Sequence, residues 1–252
     1  MWVWDLAGKA RTRLTFDAGD EDAPLWTTDG QRIVFRSTRD GGGLFWRAAD
    51  VTGEPERLAD GASAWPSGWS ADGQLLFTEL SDTQRDVKEL EVGGDRTTQV
   101  LLDSPFDEAR VDVSPDGRWL AYESDESGTM EIYVRPLDDL ERTRTQVSAN
   151  GGMSPRWSSD GRELYYIGPT HMMVTRVETS PSFSRGQPEP LFDISQYVIL
   201  RDPWARTYDV SPDGRRFLMI REVTPVTEDG SQPRIRVVRN WSEELKRRVP
   251  TR

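Results

Sequence analysis

The 252-residue sequence has no cysteine and one histidine. The missing thiols exclude disulfides and thiolate metal sites. His171, between Gly168-Pro169-Thr170 and Met172-Met173, has no second imidazole with which to build a His-based metal centre. No run approaches the ~20 apolar residues that a membrane helix needs. Met1-Trp-Val-Trp-Asp5 lacks the basic start and apolar stretch of a secretory signal. Basic charge is scarce: 32 Lys and Arg stand against 43 Asp and Glu, a net charge of −11. The only dense basic run is Lys246-Arg247-Arg248, so the stripe that nucleic-acid binding requires is missing. Gly-x-Ser-x-Gly, Gly-x-Gly-x-x-Gly, His-Arg-Asp and Asp-Phe-Gly are all absent, which removes the usual hydrolase elbow and kinase machinery.

Large side chains are plentiful. Aromatics make up 10% of residues and ten of them are Trp, enough bulk for a packed core. A short motif recurs five times: Thr27-Thr28-Asp29-Gly30, Ser70-Ala71-Asp72-Gly73, Ser114-Pro115-Asp116-Gly117, Ser158-Ser159-Asp160-Gly161 and Ser211-Pro212-Asp213-Gly214. Its glycines step by 43, 44, 44 and 53 residues, which marks an internal repeat. Ser or Thr opens a type I turn, Pro presets φ, and Gly takes the strained last position. A short apolar piece ending in Trp or Val precedes each turn (Trp26, Trp69, Val113, Trp157, Val210). A β-branched or aromatic strand follows it, as in Ile33-Val34-Phe35 and Leu164-Tyr165-Tyr166. Two further strands complete each full unit.

Four strands per unit of this length predict an all-β fold: a β-propeller of four-stranded antiparallel blades. Its five Asp-Gly units follow an N-terminal half blade in which residues 2–6 and 11–15 align with third and fourth strands. The predicted propeller covers residues 1–240, with the half blade at 1–16 and units at 23–59, 65–103, 109–148, 153–193 and 207–240. A third strand is expected over 234–239 in the last unit. Residues 241–252 read as a short helix and tail, with Asn240 as N-cap and Trp241 and Leu245 on one face. Either the two ends share a composite blade or upstream strands complete a ring of six or more blades. The second is favoured, because a truncated ring leaves bare strand edges. The Trp before each turn is expected between adjacent blades near the axis.

The repeat resembles the TolB-type, WD-repeat-like propeller, whose units carry Trp-Ser-Pro-Asp-Gly-Arg. Ser114-Pro115-Asp116-Gly117-Arg118 and Ser211-Pro212-Asp213-Gly214-Arg215 match its core, and Trp157-Ser158-Ser159-Asp160-Gly161-Arg162 departs only at Pro. Pro136-Leu137, the stretch 208–220 and the ending Val237-Val238-Arg239-Asn240-Trp241-Ser242-Glu243-Glu244-Leu245-Lys246 are also similar to the C-terminal propeller of bacterial serine/threonine protein kinases. That likeness implies a sensor or protein-interaction module, extracytoplasmic if its kinase is anchored in a membrane and cytoplasmic otherwise. The alternatives are the propeller of a peptidase or metal-dependent hydrolase, and a TolB-type envelope protein.

The expectation is therefore a non-enzymatic chain with no catalytic residue, metal or cofactor, a protein or peptide partner, and room for a small ligand in the channel. Acid clusters such as Asp17, Asp20, Glu21 and Asp22 lack calcium-loop spacing and read as solvated charge. The position before each strand-one Trp is more informative, because strand one lines a propeller's channel. There Asp112, Arg156 and Asp209 are candidates for a charged axial network, with Trp65 and Glu108 in the lead-ins to strand one facing the same end. A structural ion-pair network is the simpler reading and a ligand or partner surface the functional one. The loops leading into strand one and joining strands two and three vary most between units, and they are the expected partner face.

Overall fold

The computed structural model describes residues 1–5, 7–81, 84–142, 144–199 and 206–221. Strands β1 (Trp2–Asp5) and β2 (Ala10–Arg13) pair as a hairpin. Four larger antiparallel sheets follow. The first runs β3 (Glu21–Trp26), β4 (Arg32–Ser37), β5 (Gly43–Ala48) and β6 (Glu56–Asp60). The second runs β7 (Ala64–Trp69), β8 (Leu75–Leu80), β9 (Arg85–Leu90) and β10 (Thr98–Leu102). The third runs β11 (Glu108–Val113), β12 (Trp119–Ser124), β13 (Glu131–Pro136) and β14 (Thr145–Gln146). The fourth holds β15 (Met153–Trp157), β16 (Glu163–Ile167) and β17 (His171–Glu178), with both β18 (Ser184–Arg185) and β19 (Glu189–Asp193) paired to β17. Strands β20 (Tyr208–Val210) and β21 (Phe217–Met219) form a last two-stranded sheet.

These sheets are the blades that the repeat predicts. The 53-residue step is spent after the fourth strand: β19 begins 28 residues after Gly161, just as β14 begins 28 after Gly117, but β20 begins 15 residues after β19 ends, against 7 between β14 and β15. Among the described residues no ladder joins β1–β2 to β20–β21, which remain separate sheets. The expected strand at 234–239 and the helix at 241–252 lie outside the described residues.

Each Asp-Gly turn is closed by its own side chains. The Gly N–H donates to the opening Ser or Thr carbonyl in all five, at 2.8–3.0 Å. The opening hydroxyl then accepts a backbone N–H from the next strand, as from Arg32, Gln74 and Trp119. The Asp carboxylate accepts the N–H two residues on, in the turns of Asp29, Asp116, Asp160 and Asp213. Thus Ser and Asp satisfy groups that a bare turn leaves to water.

The first strands of successive blades, β3, β7, β11 and β15, touch in that order and form the inner wall. Each carries one extra residue against its partner, a β-bulge. In β3, β11 and β15 the bulge holds Ala23, Arg110 and Ser154 at positive φ. In β7 the matching position is Pro66, whose ring forbids positive φ, and the bulge falls one residue later. Four apolar clusters fill the seams between blades, around Phe77 and Leu90, Tyr122 and Val111, Trp157 and Tyr166, and Tyr165 and Phe217.

Trp157 lies in such a seam, but Trp26 is 48% exposed and departs from the expected inter-blade position. The reason is the neighbour. Trp69 Nε1 donates to the Trp26 carbonyl, and Trp157 Nε1 donates to the Asp112 carbonyl, each reaching back to the preceding inner strand. Among the described residues the sheet before β3 is only the hairpin β1–β2, which gives Trp26 no such strand to lean on.

Candidate functional site

The bulged inner strands bring Asp112, Arg156 and Asp209 together from three successive blades. Arg156 Nη1 lies 3.1 Å from Asp112 Oδ1, and Nη2 lies 2.8 Å from Asp209 Oδ1. Asp112 Oδ2 also accepts the Trp157 N–H at 2.8 Å. Asp112 raises the pKa of Arg156, burial opposes it and Asp209 adds to the rise, so the guanidinium stays charged. Water still reaches the group: the Arg156 side chain is 25% exposed and that of Asp209 59%.

Deeper in the same strands stands Arg206, from the lead-in to β20. Its Nη2 donates to the Ser67 carbonyl at 2.6 Å and to the Val111 carbonyl, and Nη1 makes a long contact of 3.4 Å with the Pro155 carbonyl. Ser67, Val111 and Pro155 are the same repeat position in three blades. Gly68 keeps the approach open, since a Cβ there would sit 3.3 Å from the Val111 carbonyl oxygen. Sequence reading missed Arg206, although a signal was present: its repeat position is filled by Asp22, Trp65, Ala109 and Met153 in the other units, so it is the only cation there.

Trp65 and Glu108 do not join this group. Trp65 packs at the seam of the first two blades, with the Arg36 guanidinium 5.0 Å from its ring centre. Glu108 lies at the opposite end of β11 from Asp112, 1% exposed, and its Oε2 has no hydrogen-bond partner among the described residues. Burial pushes its pKa up to about 7, against the pull of Arg135. The two residues therefore belong to seams and not to the axial network.

A second charged cluster was also missed. Glu123, fully buried, accepts from Arg110 Nη1 at 3.0 Å and from the Ser154 N–H at 3.1 Å. Arg85 stands 3.6 Å away and pairs with Asp107 at 3.0 Å. This cluster ties three blades together beneath the bulges, and breaking such a buried pair typically costs about 3–5 kcal/mol.

No cluster of three His, Cys, Asp or Glu arranged for a metal occurs among the described residues. His171 Nδ1 lies 2.9 Å from Thr170 Oγ1 at the start of a third strand, away from the axis. A surface cleft of about 1080 Å³ opens at the outer side of the fourth blade between Arg162, Glu163, Arg176, Glu178, Ser184 and Arg185. Its charges are mixed and the axial residues are not part of it.

No family model matches the chain. An uncharacterized protein of Agrobacterium fabrum is 26% identical over 180 residues, 67% of this chain and 58% of that protein. TolB from Acinetobacter baumannii superposes with a TM-score of 0.70 at 17% identity, over 88% of this chain and 54% of that one. The fold is that of a TolB-type β-propeller. The chain spans only about half to three-fifths of the length of these two proteins.

The same propeller overturns one expectation. An oligogalacturonate lyase solved with manganese matches with a TM-score of 0.53 and 13% identity, over 86% of this chain and 78% of that one. A puromycin-hydrolyzing peptidase of Mycobacterium tuberculosis matches at 0.57 and 18%, over 84% of this chain and 36% of that one. The expectation that the chain is not an enzyme is therefore withdrawn. It rested on absent kinase and hydrolase motifs, and enzymes carry this fold too. A fold hosts many chemistries, and missing motifs of two classes do not speak for the rest.

Proposed function

We propose that this propeller is a sensor or protein-interaction module that receives a peptide segment of its partner at the axial network of Asp112, Arg156 and Asp209. One observation carries the reading: a guanidinium is locked between carboxylates of neighbouring blades while water still reaches it. Such a fixed charge pattern gives orientation and specificity to an incoming chain, because its own groups need no reordering on binding. The net charge of −11 favours a basic partner and speeds its encounter.

The experiment selects peptides from a displayed library on the wild-type protein and measures them on Asp209→Asn, which changes the most exposed of the three side chains. Loss of about tenfold in affinity, with hydrogen-exchange protection at the ends of β11, β15 and β20, is expected. Unchanged affinity with a footprint on the loops between strands two and three would move recognition to that face and end the axial reading.

The similarity of residues 208–220 and 237–246 to kinase-borne propellers supports attachment to a serine/threonine kinase. The reading frame upstream of Met1 tests this. A kinase domain followed by a membrane span fits the proposal, and its absence removes it.

A further inference from the structure

Three carbonyl oxygens converge at the inner wall, those of Ser67, Val111 and Pro155, and a guanidinium already fills the space between them. A strand-one carbonyl normally pairs within its own blade or faces water. Here the bulges turn one carbonyl from each of three blades toward one point, and Gly68 leaves that point accessible. Converging acceptors are a receptor for a hydrogen-bonding cation.

The occupant is poorly matched in charge. Among the described residues Arg206 forms no ion pair; the nearby carboxylates are committed to Arg156. Burial, and then the charge of Arg156, press the Arg206 pKa down to about 10, with Asp112 pulling the other way. Among the described residues its hydrogen-bond acceptors are all carbonyls, and it stands next to a like charge. Such an occupant is easier to displace than one with its own carboxylate, since it lacks the attraction between two full charges that an ion pair adds.

We propose that the carbonyls of Ser67, Val111 and Pro155 form a seat for a guanidinium or primary ammonium group, that Arg206 is its resident occupant, and that an arginine or lysine side chain of the protein partner displaces it. The proposal rests on the axial reading for the identity of the partner, but the seat stands apart from it. The rim carboxylates Asp112 and Asp209 lie on the route of an incoming cation and lower the energy of its approach.

The test uses the full chain with Arg206→Ala, ethylguanidinium as the probe, and tetramethylammonium chloride at equal ionic strength as a control that cannot donate hydrogen bonds. Ethylguanidinium should bind the variant about tenfold more tightly than the wild type and raise the variant's Tm toward the wild-type value. The wild type, its seat filled, should not respond. Arg206→Ser, which leaves the three carbonyls free and keeps a small polar side chain beside them, provides the second background if the alanine variant does not fold. Equal responses of wild type and variant, or an equal effect of tetramethylammonium, would overturn the seat. The selected peptides should bind Arg206→Ala more tightly than wild type, because no resident must leave; weaker binding would overturn displacement. A failed probe with an intact Asp209→Asn effect defeats this proposal alone. A working probe with a footprint on the loops defeats the axial reading alone.

Discussion

Glu21 of the first blade and Glu108 of the third occupy the same position of the repeat, and their fates differ. Glu21 pairs with Arg39 and lies 3.5 Å from the Met1 amine. Glu108 is buried to 1%, with one oxygen unpartnered among the described residues and its pKa raised to about 7. Trp26 and Trp157 form a second such pair, the one exposed and the other 7% exposed in a seam. In both pairs the local sequence sets the strand and the turn, and the neighbouring blade sets the energy. Repeat proteins behave this way because each unit's stability is the sum of its own term and an interface term.

The largest expected effect separates the two tryptophans. Trp157→Ala should destabilise the fold by about 3–5 kcal/mol, the usual range for removing a large core aromatic. It also removes the Nε1 bond to the Asp112 carbonyl, beside the axial network. Trp26→Ala should change stability by less than about 0.5 kcal/mol, as exposed substitutions do. Denaturant midpoints measure both. Equal midpoints for the two variants would show that the seams contribute no more than the open flank.

The glutamates give the next effect. The folded pKa of Glu108 lies above its ordinary value of 4.5, so the folded state holds the proton more tightly than the unfolded chain does. Its contribution is complete below pH 4.5, is lost progressively as pH rises to about 7, and stays absent above that. A shift of this size corresponds to about 3 kcal/mol. Glu108→Gln cannot ionise, so the variant should match wild type near pH 4 and exceed its stability by up to about 3 kcal/mol near pH 8. Arg135, Arg144 and Glu126 surround the site in both proteins, so the difference between the two curves isolates Glu108. A pH-independent difference would mean that Glu108 finds a cation when it ionises.

The sequence carried the repeat plainly, because the Asp-Gly turn is closed within a few residues by side chains of fixed type. It also placed Asp112, Arg156 and Asp209 together, since one repeat position maps onto one height of the inner wall. Trp65 and Glu108 were placed on the wrong surface for a related reason. The bulge interrupts side-chain alternation within strand one, so the side that Asp112 faces does not carry over by counting back to Glu108. Nothing in the spacing of one unit announces that extra residue. Arg206 stayed hidden because its partners are backbone carbonyls, which leave no residue type to look for. The charges of Glu123, Arg110 and Arg85 were hidden because their pairing crosses blades.

The smallest effect tests the comparison at the turns themselves. Gly30, in the first blade, and Gly117, in the third, have nearly equal backbone angles, φ +67° and +72°. Replacing either with Ala forces a side chain into the left-handed region, at about 1 kcal/mol. What differs is the neighbour. Nothing lies within 4 Å of a Cβ at Gly30, whereas a Cβ at Gly117 would sit 2.5 Å from Ala71 Cβ on the adjoining blade's turn. Gly117→Ala therefore has to push two turns apart, and overpacking of this kind adds about 1–3 kcal/mol. The expected order is Gly117→Ala more destabilising than Gly30→Ala. Ala71→Gly should recover much of the difference in a double-mutant cycle, since it removes the atom that the added methyl group meets. Coupling near zero would mean that the two turns already stand apart in solution, and that the blades meet only through their seams and inner strands.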